Sequence, residues 1–329
     1  MKYAAERQAA VTAVLAACRL CKTVQATLIS AETMAKKDKS PVTVADFGAQ
    51  AVVVNHLRQS FPRDPLVGEE DAAALRADDG ADLRRKVVAS VQKVTPAMTE
   101  GMILDAIDRG MYEGGPTGRH WTLDPIDGTK GFLRNEQYAV ALALIENGKV
   151  VLGVLGCPSL PQDGTKPDGP AGCLFIAVQG QGATMRPLDD PTEHKIHVTK
   201  INDPGKASFC ESVESAHSAQ DDSAKVAELL GISVPPYRID SQCKYAAVAR
   251  GDASIYLRLP TKKGYEEKIW DHAAGSIVIQ EAGGRATDVR GNDLNFSLGR
   301  TLRNNMGVVV TNGLLHDRAV AAVRKVLGV

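Results

Sequence analysis

The stretch His120–Arg134, HWTLDPIDGTKGFLR, constrains the fold of this chain more than any other. Trp121, Thr122 and Leu123 are aromatic, β-branched and apolar, which predicts the end of a β-strand. Pro125 cannot donate a ladder hydrogen bond and biases Asp124 toward an extended backbone, so the strand is expected to stop there. Gly128 permits a sharp turn, and Thr129 is placed to cap a helix. Asp124, Asp127 and a run of free backbone N–H groups then converge on one point. Hard carboxylate oxygens suit Mg²⁺, and a helix N-terminus suits phosphate. The remaining ligands have to come from elsewhere in the chain.

Two other stretches offer them. Val67-Gly68-Glu69-Glu70-Asp71 follows a Pro-rich turn, and Trp270-Asp271-His272-Ala273-Ala274-Gly275 opens an apolar helical run. Two like charges ~4 Å apart repel by about 4 kcal/mol at an effective dielectric of about 20. Either these acids lie apart on solvated loops, or they jointly hold metal.

In the order GEED, DPIDGT, WDHAAG, the three stretches resemble the magnesium-dependent, lithium-sensitive phosphatase superfamily. That superfamily includes inositol monophosphatases, inositol polyphosphate 1-phosphatases and 3′(2′),5′-bisphosphate nucleotidases. The similarity runs from about Asp46 to about Gly307. It implies a mixed α/β, two-domain, layered αβαβα fold of the sugar-phosphatase type. It also implies two or three Mg²⁺ ions on Glu69, Asp124, the Ile126 carbonyl, Asp127 and Asp271. Asp46 and Thr129 are implied to orient and activate the attacking water, with Gly128, Thr129 and Asp271 touching substrate. Inhibition by Li⁺, and more weakly by Na⁺, belongs to the same expectation. Spacing alone leaves Glu69, Glu70 and Asp71 equivalent; the resemblance favours Glu69. By itself, Asp46 could merely be the cap of a helix over 49–57; the resemblance of the stretch ending in Asp46 to the family's V-T-x-x-D motif favours the site role.

The 329 residues are 44% hydrophobic and 24% charged, ordinary for a globular protein with a substantial core. Lys+Arg and Asp+Glu both number 39, so no overall field attracts nucleic acid or an anionic membrane. Positive potential for an anionic substrate must therefore be local. Six cysteines include Cys18-x-x-Cys21, with no second pair at zinc spacing, and read as buried thiols in a reducing compartment. With no signal peptide or membrane span visible, the expected location is cytoplasmic.

Residues 3–29 show helical periodicity. Residues 71–112 read as two flanking helices joined around Thr95-Pro96. Asn147-Gly148 predicts a hairpin between apolar strands, 157–172 a loop, and 173–186 a second hairpin. An antiparallel-rich sheet thus ends near residue 188, followed by polar Asp189–Lys195. The division expected is an N-terminal α+β domain, 1–188, with the metal loops, and a smaller α/β domain, 189–329, contributing Asp271. In the second half, strands are expected at 207–211, 237–239, 253–259 and 308–311, and helices at 220–230, 244–250, 271–281 and 315–327.

Substrate choice is expected to lie in that half. Glu211–Ser218, Asp240–Tyr245 and Tyr256–Pro260 resemble the bisphosphate nucleotidases. On that resemblance His217, Ser241, Lys244 and Arg258 contact an adenosine phosphate, since Lys and Arg pair phosphate and Arg stacks on bases. Singly, Arg258 is a surface cation and His217 a structural histidine. The resulting expectation is Mg²⁺-dependent hydrolysis of 3′-phosphoadenosine 5′-phosphate, and of its phosphosulfate, to AMP or its analogue. It carries roles in sulfate assimilation and salt tolerance, with no nucleic acid, membrane or obligate protein partner. The alternatives are an inositol (poly)phosphate 1-phosphatase and a catalytically inactive nucleotide sensor.

Overall fold

The computed structural model describes residues 2–28, 40–213, 219–262 and 264–329. A seven-stranded sheet runs β1 (Leu66–Gly68), β2 (Arg119–Asp127), β3 (Ala139–Glu146), β4 (Lys149–Pro161), β5 (Ala171–Val178), β6 (Gly182–Pro187) and β7 (His194–Lys195). The order in space is the order in sequence, because hairpins join most neighbours; only β1 and β2 are parallel. A five-stranded sheet is built from β8 (Phe209–Glu211), β9 (Tyr237–Arg238), β10 (Ile255–Arg258), β11 (Arg285–Thr287) and β12 (Val308–Thr311). Its order is β11-β12-β10-β8-β9, with β10, β8 and β9 mutually parallel. The partly parallel character follows from the intervening helices, which return the chain to the same sheet end.

Alternation along the strands divides the interior into three cores. In β3, Val140, Leu142 and Leu144 face helices Ala4–Leu28 and Ser40–Ser60, while Ala139, Ala141, Ala143 and Ile145 face helices Cys243–Arg250 and Ala273–Glu281. These two helices also pack on the five-stranded sheet. In β10, Tyr256 points into that shared core, whereas Ile255 and Leu257 face the outer layer, where helices Gln220–Leu230 and His316–Leu327 pair. The result is helix, sheet, helix, sheet, helix, a mixed α/β αβαβα arrangement.

Several sequence expectations need correction. β2 does not stop at Pro125; it runs to Asp127, because a register shift against β3 absorbs the residue that cannot donate. β4 extends to Pro161, shortening the expected loop at 157–172. The second helix starts at Ser40, so Asp46 lies inside it and caps nothing; Pro41 sits in the first turn, where its missing N–H costs no bond. Strands β1, β7 and β11, of two or three residues, were too short to show a pattern. Among the described residues, helix Ala4–Leu28 alone is long and apolar enough to cross a membrane by length and composition. The apolarity serves the first core: 67% of that window is buried within the protein. All six cysteines are buried free thiols.

The middle helix layer lies close to the first sheet because β3 presents alanines and β4 presents Gly153 to it. A Cβ on Gly153 would sit 2.5 Å from Ile277 Cγ2 and 2.8 Å from the Ala274 carbonyl oxygen. Gly153→Ala is therefore expected to push helix Ala273–Glu281 outward and destabilise the protein by roughly 1–3 kcal/mol. Urea unfolding measures this; a midpoint equal to wild type would mean the layer yields without cost.

Candidate active site

Glu69 and Asp124 meet because of register. Parallel pairing places Gly68 opposite Leu123, so the next residues, Glu69 just past the end of β1 and Asp124 still within β2, come side by side. Their carboxyls are close enough for the charge of Glu69 to act on Asp124. In a regular strand Asp124 and Asp127 would point to opposite faces. The bulge changes that: three steps on β2 oppose two on β3, from Asp124–Ala141 to Asp127–Ala139. Both aspartates consequently line one cavity of about 770 Å³.

Gly128 turns the chain after β2 at φ 91°, in the left-handed region, and occupies the cap position of helix Thr129–Leu133. Thr129 is thus the first helical residue and not the cap. A Cβ on Gly128 would lie 2.8 Å from Ser241 Cβ, so the glycine also admits the second half of the chain. Ser241 itself has φ 64°, a strained backbone for a non-glycine residue at a site. Its hydroxyl donates to the Asp240 carbonyl at 2.6 Å and accepts from the Cys243 N–H at 3.1 Å.

Asp271 reaches the cavity from a short 3₁₀ turn, Ile269–Asp271, that precedes helix Ala273–Glu281, and not from the helix itself. Buried Gln242 ties it to Asp127. Its backbone N–H donates to Asp127 Oδ2 at 2.5 Å, its Nε2 to the Trp270 carbonyl at 2.9 Å, and its Oε1 accepts the Gly275 N–H at 2.9 Å. Sequence reasoning missed this residue, although it lies within the quoted run Asp240–Tyr245. Asp46 does not line the cavity; it stands behind, near enough for the charges of Glu70 and Glu69 to act on it.

The acids disfavour one another. Burial first, then Glu69, Asp127, Asp271 and Asp46, hold the Asp124 carboxyl well above its ordinary value. Asp46 is likewise raised well above, by burial and then Glu70 and Glu69. Glu69 is open to the cavity by surface area, yet enclosing protein and then Asp271 and Glu70 push it up to about 8. Asp127 is pushed up to about 6 by burial and Asp271, against the opposing pull of Lys244, Arg258 and the Gln242 N–H. Asp124 Oδ1 is buried without a hydrogen-bond partner among the described residues. A cluster of hard oxygens that cannot ionise together, with one oxygen orphaned, fits a divalent cation such as Mg²⁺.

Lys244 and Arg258 line the cavity, as do Lys130 and Lys262. Lys244 is buried, and desolvation lowers its pKa while Asp127 opposes the shift. Arg258 does not stand free on a strand as its sequence context suggested. Its Nη2 lies 2.8 Å from Glu267 Oε2 and 3.0 Å from Asp271 Oδ2. His272 Nε2 and Glu267 Oε2 are 3.1 Å apart, and His272 Nδ1 lies 2.8 Å from the Tyr245 hydroxyl. Glu267, Asp271 and His272 are the described residues whose ligand atoms lie within 4.8 Å of one another, but the guanidinium already answers that charge. Glu267, also missed from sequence, is held down to about 2: burial raises it, and the His272 bond and Arg258 outweigh burial. His217 falls outside the described residues.

The layered fold and its acid-lined cleft define a class of phosphoester-cleaving enzymes, and comparison with known proteins agrees. The family model described as the inositol monophosphatase family matches residues 2–327. The chain is 48% identical to a rice (Oryza sativa) 3′(2′),5′-bisphosphate nucleotidase, covering 98% of this chain and 94% of that one. It is 45% identical to the enzyme of that name from Schizosaccharomyces pombe, covering 99% and 97%. An inositol monophosphatase structure from Anabaena (Nostoc) superposes with a TM-score of 0.63 at 21% identity, covering 99% of this chain and 97% of that one, a likeness of fold. The chain belongs to the inositol monophosphatase family. Its curated relatives are phosphatases, and so is this protein.

The raised acids set a pH dependence. A carboxyl whose folded pKa exceeds its unfolded value keeps a proton that the unfolded chain has lost, so stability falls as pH rises through that window. For Glu69 and Asp127 the window runs from their ordinary 4.5 and 3.8 to about 8 and about 6. In chelator, the melting temperature should drop from pH about 5 to pH about 8. Added Mg²⁺ should raise it most at the alkaline end. A flat profile in chelator over that range would separate the acids from one another.

Proposed function

We propose that this protein is a Mg²⁺-dependent 3′(2′),5′-bisphosphate nucleotidase that converts 3′-phosphoadenosine 5′-phosphate to AMP and phosphate. The observation that carries the reading is the meeting of Glu69, Asp124, Asp127 and Asp271 with Lys244 and Arg258 in one nucleotide-sized cavity of about 770 Å³. The names of the relatives point the same way.

On this proposal Glu69, Asp124, Asp127, Asp271 and the Ile126 carbonyl hold two or three divalent ions. Bound there, the ions would supply a lowered water pKa and neutralise phosphate charge. Asp46 and Thr129 orient the attacking water. Asp46 in its ionised form takes the proton as the water oxygen bonds to phosphorus, which requires bound cations to offset the burial and the Glu70 and Glu69 charges that otherwise keep it protonated. The bond to the 3′ oxygen breaks, that oxygen ends protonated, and phosphate leaves. Gly128, Thr129, Ser241, Lys244 and Arg258 hold the nucleotide, with His217 added by resemblance. Helix Thr129–Leu133 has only five residues, so the charge for phosphate comes chiefly from side chains and ions and little from a macrodipole. Lys244 approaches the Tyr256 ring at 5.3 Å, which keeps its ammonium inside the cavity wall.

The division near residue 188 is part of the proposal: the first domain carries most of the ligands, and the second brings Asp271 and the nucleotide contacts. We place the enzyme in the cytoplasm, acting on a small molecule without nucleic acid, membrane or obligate protein partner. Phosphosulfate is a second substrate, and the enzyme serves sulfate assimilation and salt tolerance.

Phosphate release from 3′-phosphoadenosine 5′-phosphate, inositol 1-phosphate and inositol 1,4-bisphosphate at equal Mg²⁺ tests the reading. The nucleotide should have the highest kcat/KM, and LiCl should inhibit more than NaCl, with KCl nearly inert at matched ionic strength. Preference for an inositol phosphate would overturn the substrate, and no release from any would make the chain a sensor.

Lys244→Met tests the cation in the cavity. It removes one charge-assisted contact, which should cost about 1.5–3 kcal/mol in kcat/KM for the nucleotide. The Mg²⁺ concentration for half activity should stay near wild type. Wild-type nucleotide use by this variant would remove Lys244 from the substrate contacts.

A further inference from the structure

Glu69 follows the end of an edge strand only three residues long, too short to fix a carboxylate by its own ladder. Two side chains from distant parts of the chain grip its flanks. Gln50, fully buried in helix Ser40–Ser60, behaves as an extra peptide unit beyond β1. Its Oε1 accepts the Glu70 N–H at 3.2 Å, and its Nε2 donates to the Glu70 carbonyl at 2.6 Å and to the Ile107 carbonyl at 2.8 Å. The room for it comes from two glycines: a Cβ on Gly68 would lie 2.5 Å from Gln50 Oε1, and one on Gly110 2.5 Å from Nε2.

Arg300 holds the other side. Its Nη2 donates to the Gly68 carbonyl at 2.5 Å, and its Nη1 to the carbonyls of Gly110 at 3.0 Å and Tyr112 at 3.1 Å. The guanidinium lies 4.9 Å from the centre of the Trp270 ring, beside Asp271, and the Arg300 carbonyl accepts the Ile269 N–H at 3.1 Å. One side chain thus spans the backbone before Glu69 and the turn that carries Asp271. A planar fork with several donors does this; an ammonium cannot reach three carbonyls and stack at once.

We propose that Gln50 and Arg300 are positioning residues that hold segment Gly68–Glu70 against the Asp271 turn, setting Glu69 and Asp271 at the separation a divalent cation needs. This rests on the proposed metal-dependent reading and adds that cation affinity depends on docking of the C-terminal half through Arg300. Neither side chain lines the cavity.

The test compares full-length wild type with Arg300→Lys and Gln50→Leu. In metal-free protein, hydrogen exchange over 66–72 should quicken in both variants. Calorimetric Mg²⁺ titration should show weaker binding by about 10–100-fold, the range for losing a group that orients a ligand. At saturating Mg²⁺ the KM for the nucleotide should remain within about twofold, and kcat of Arg300→Lys should largely recover. Unchanged Mg²⁺ affinity, whether or not exchange quickens, would reduce these contacts to scaffold and overturn the proposal. If Gln50→Leu does not fold, Arg300→Lys decides alone. Failure of the functional reading is told apart by the wild type, which would then bind no Mg²⁺.

Discussion

Everything at the cleft depends on the mutual repulsion of Glu69, Asp124, Asp127 and Asp271, brought together where water is partly excluded. Burial and like charge act in the same direction on the first three, raising their proton affinity. A fold that needed only stability would separate these residues. Keeping them together makes sense when a divalent cation replaces the lost hydration, and the unpartnered Asp124 oxygen is the clearest mark of that demand.

The scaffold meets the demand with devices that each solve a local problem. Parallel pairing of β1 with β2 delivers Glu69 beside Asp124, and a bulge at Pro125 rotates Asp127 to the same side. Gly128 then turns the chain away while leaving space for Ser241. Gln242 connects the two halves, its backbone N–H on Asp127 and its side chain on the Trp270 carbonyl, while Arg258 ties Glu267 and Asp271 together within the second half. The shared core under helices Cys243–Arg250 and Ala273–Glu281 makes those connections rigid, since both sheets pack on the same layer.

Arg258 illustrates why electrostatic roles resist reading from sequence. Its neighbours in the chain, Leu257 and Leu259, place it on a strand, but its charge is answered by Glu267 and Asp271, residues reached through a loop. Pairing with Asp271 keeps the guanidinium charged within the cavity despite burial. The same contact ties Arg258 to a carboxylate of the acidic cluster that lines the cavity.

Local chemistry made much of this protein legible in its sequence. Helical periodicity marks 4–28 and 220–230, Asn147-Gly148 marks a hairpin, and β12 falls at 308–311 as its apolar run requires. Three acidic motifs identified the family and nominated the cleft residues, because metal chemistry restricts which residue types are usable. Tertiary structure alone decided the rest. Whether Pro125 ends a strand or is absorbed in a bulge depends on the partner strand, and whether Asp46 caps a helix or sits inside one depends on where that helix begins. The grips of Gln50, Gln242 and Arg300 on backbone groups carry no local pattern at all. Their partners lie at sequence separations that only folding closes, and a buried amide or guanidinium is satisfied by whichever carbonyls the packing brings to it.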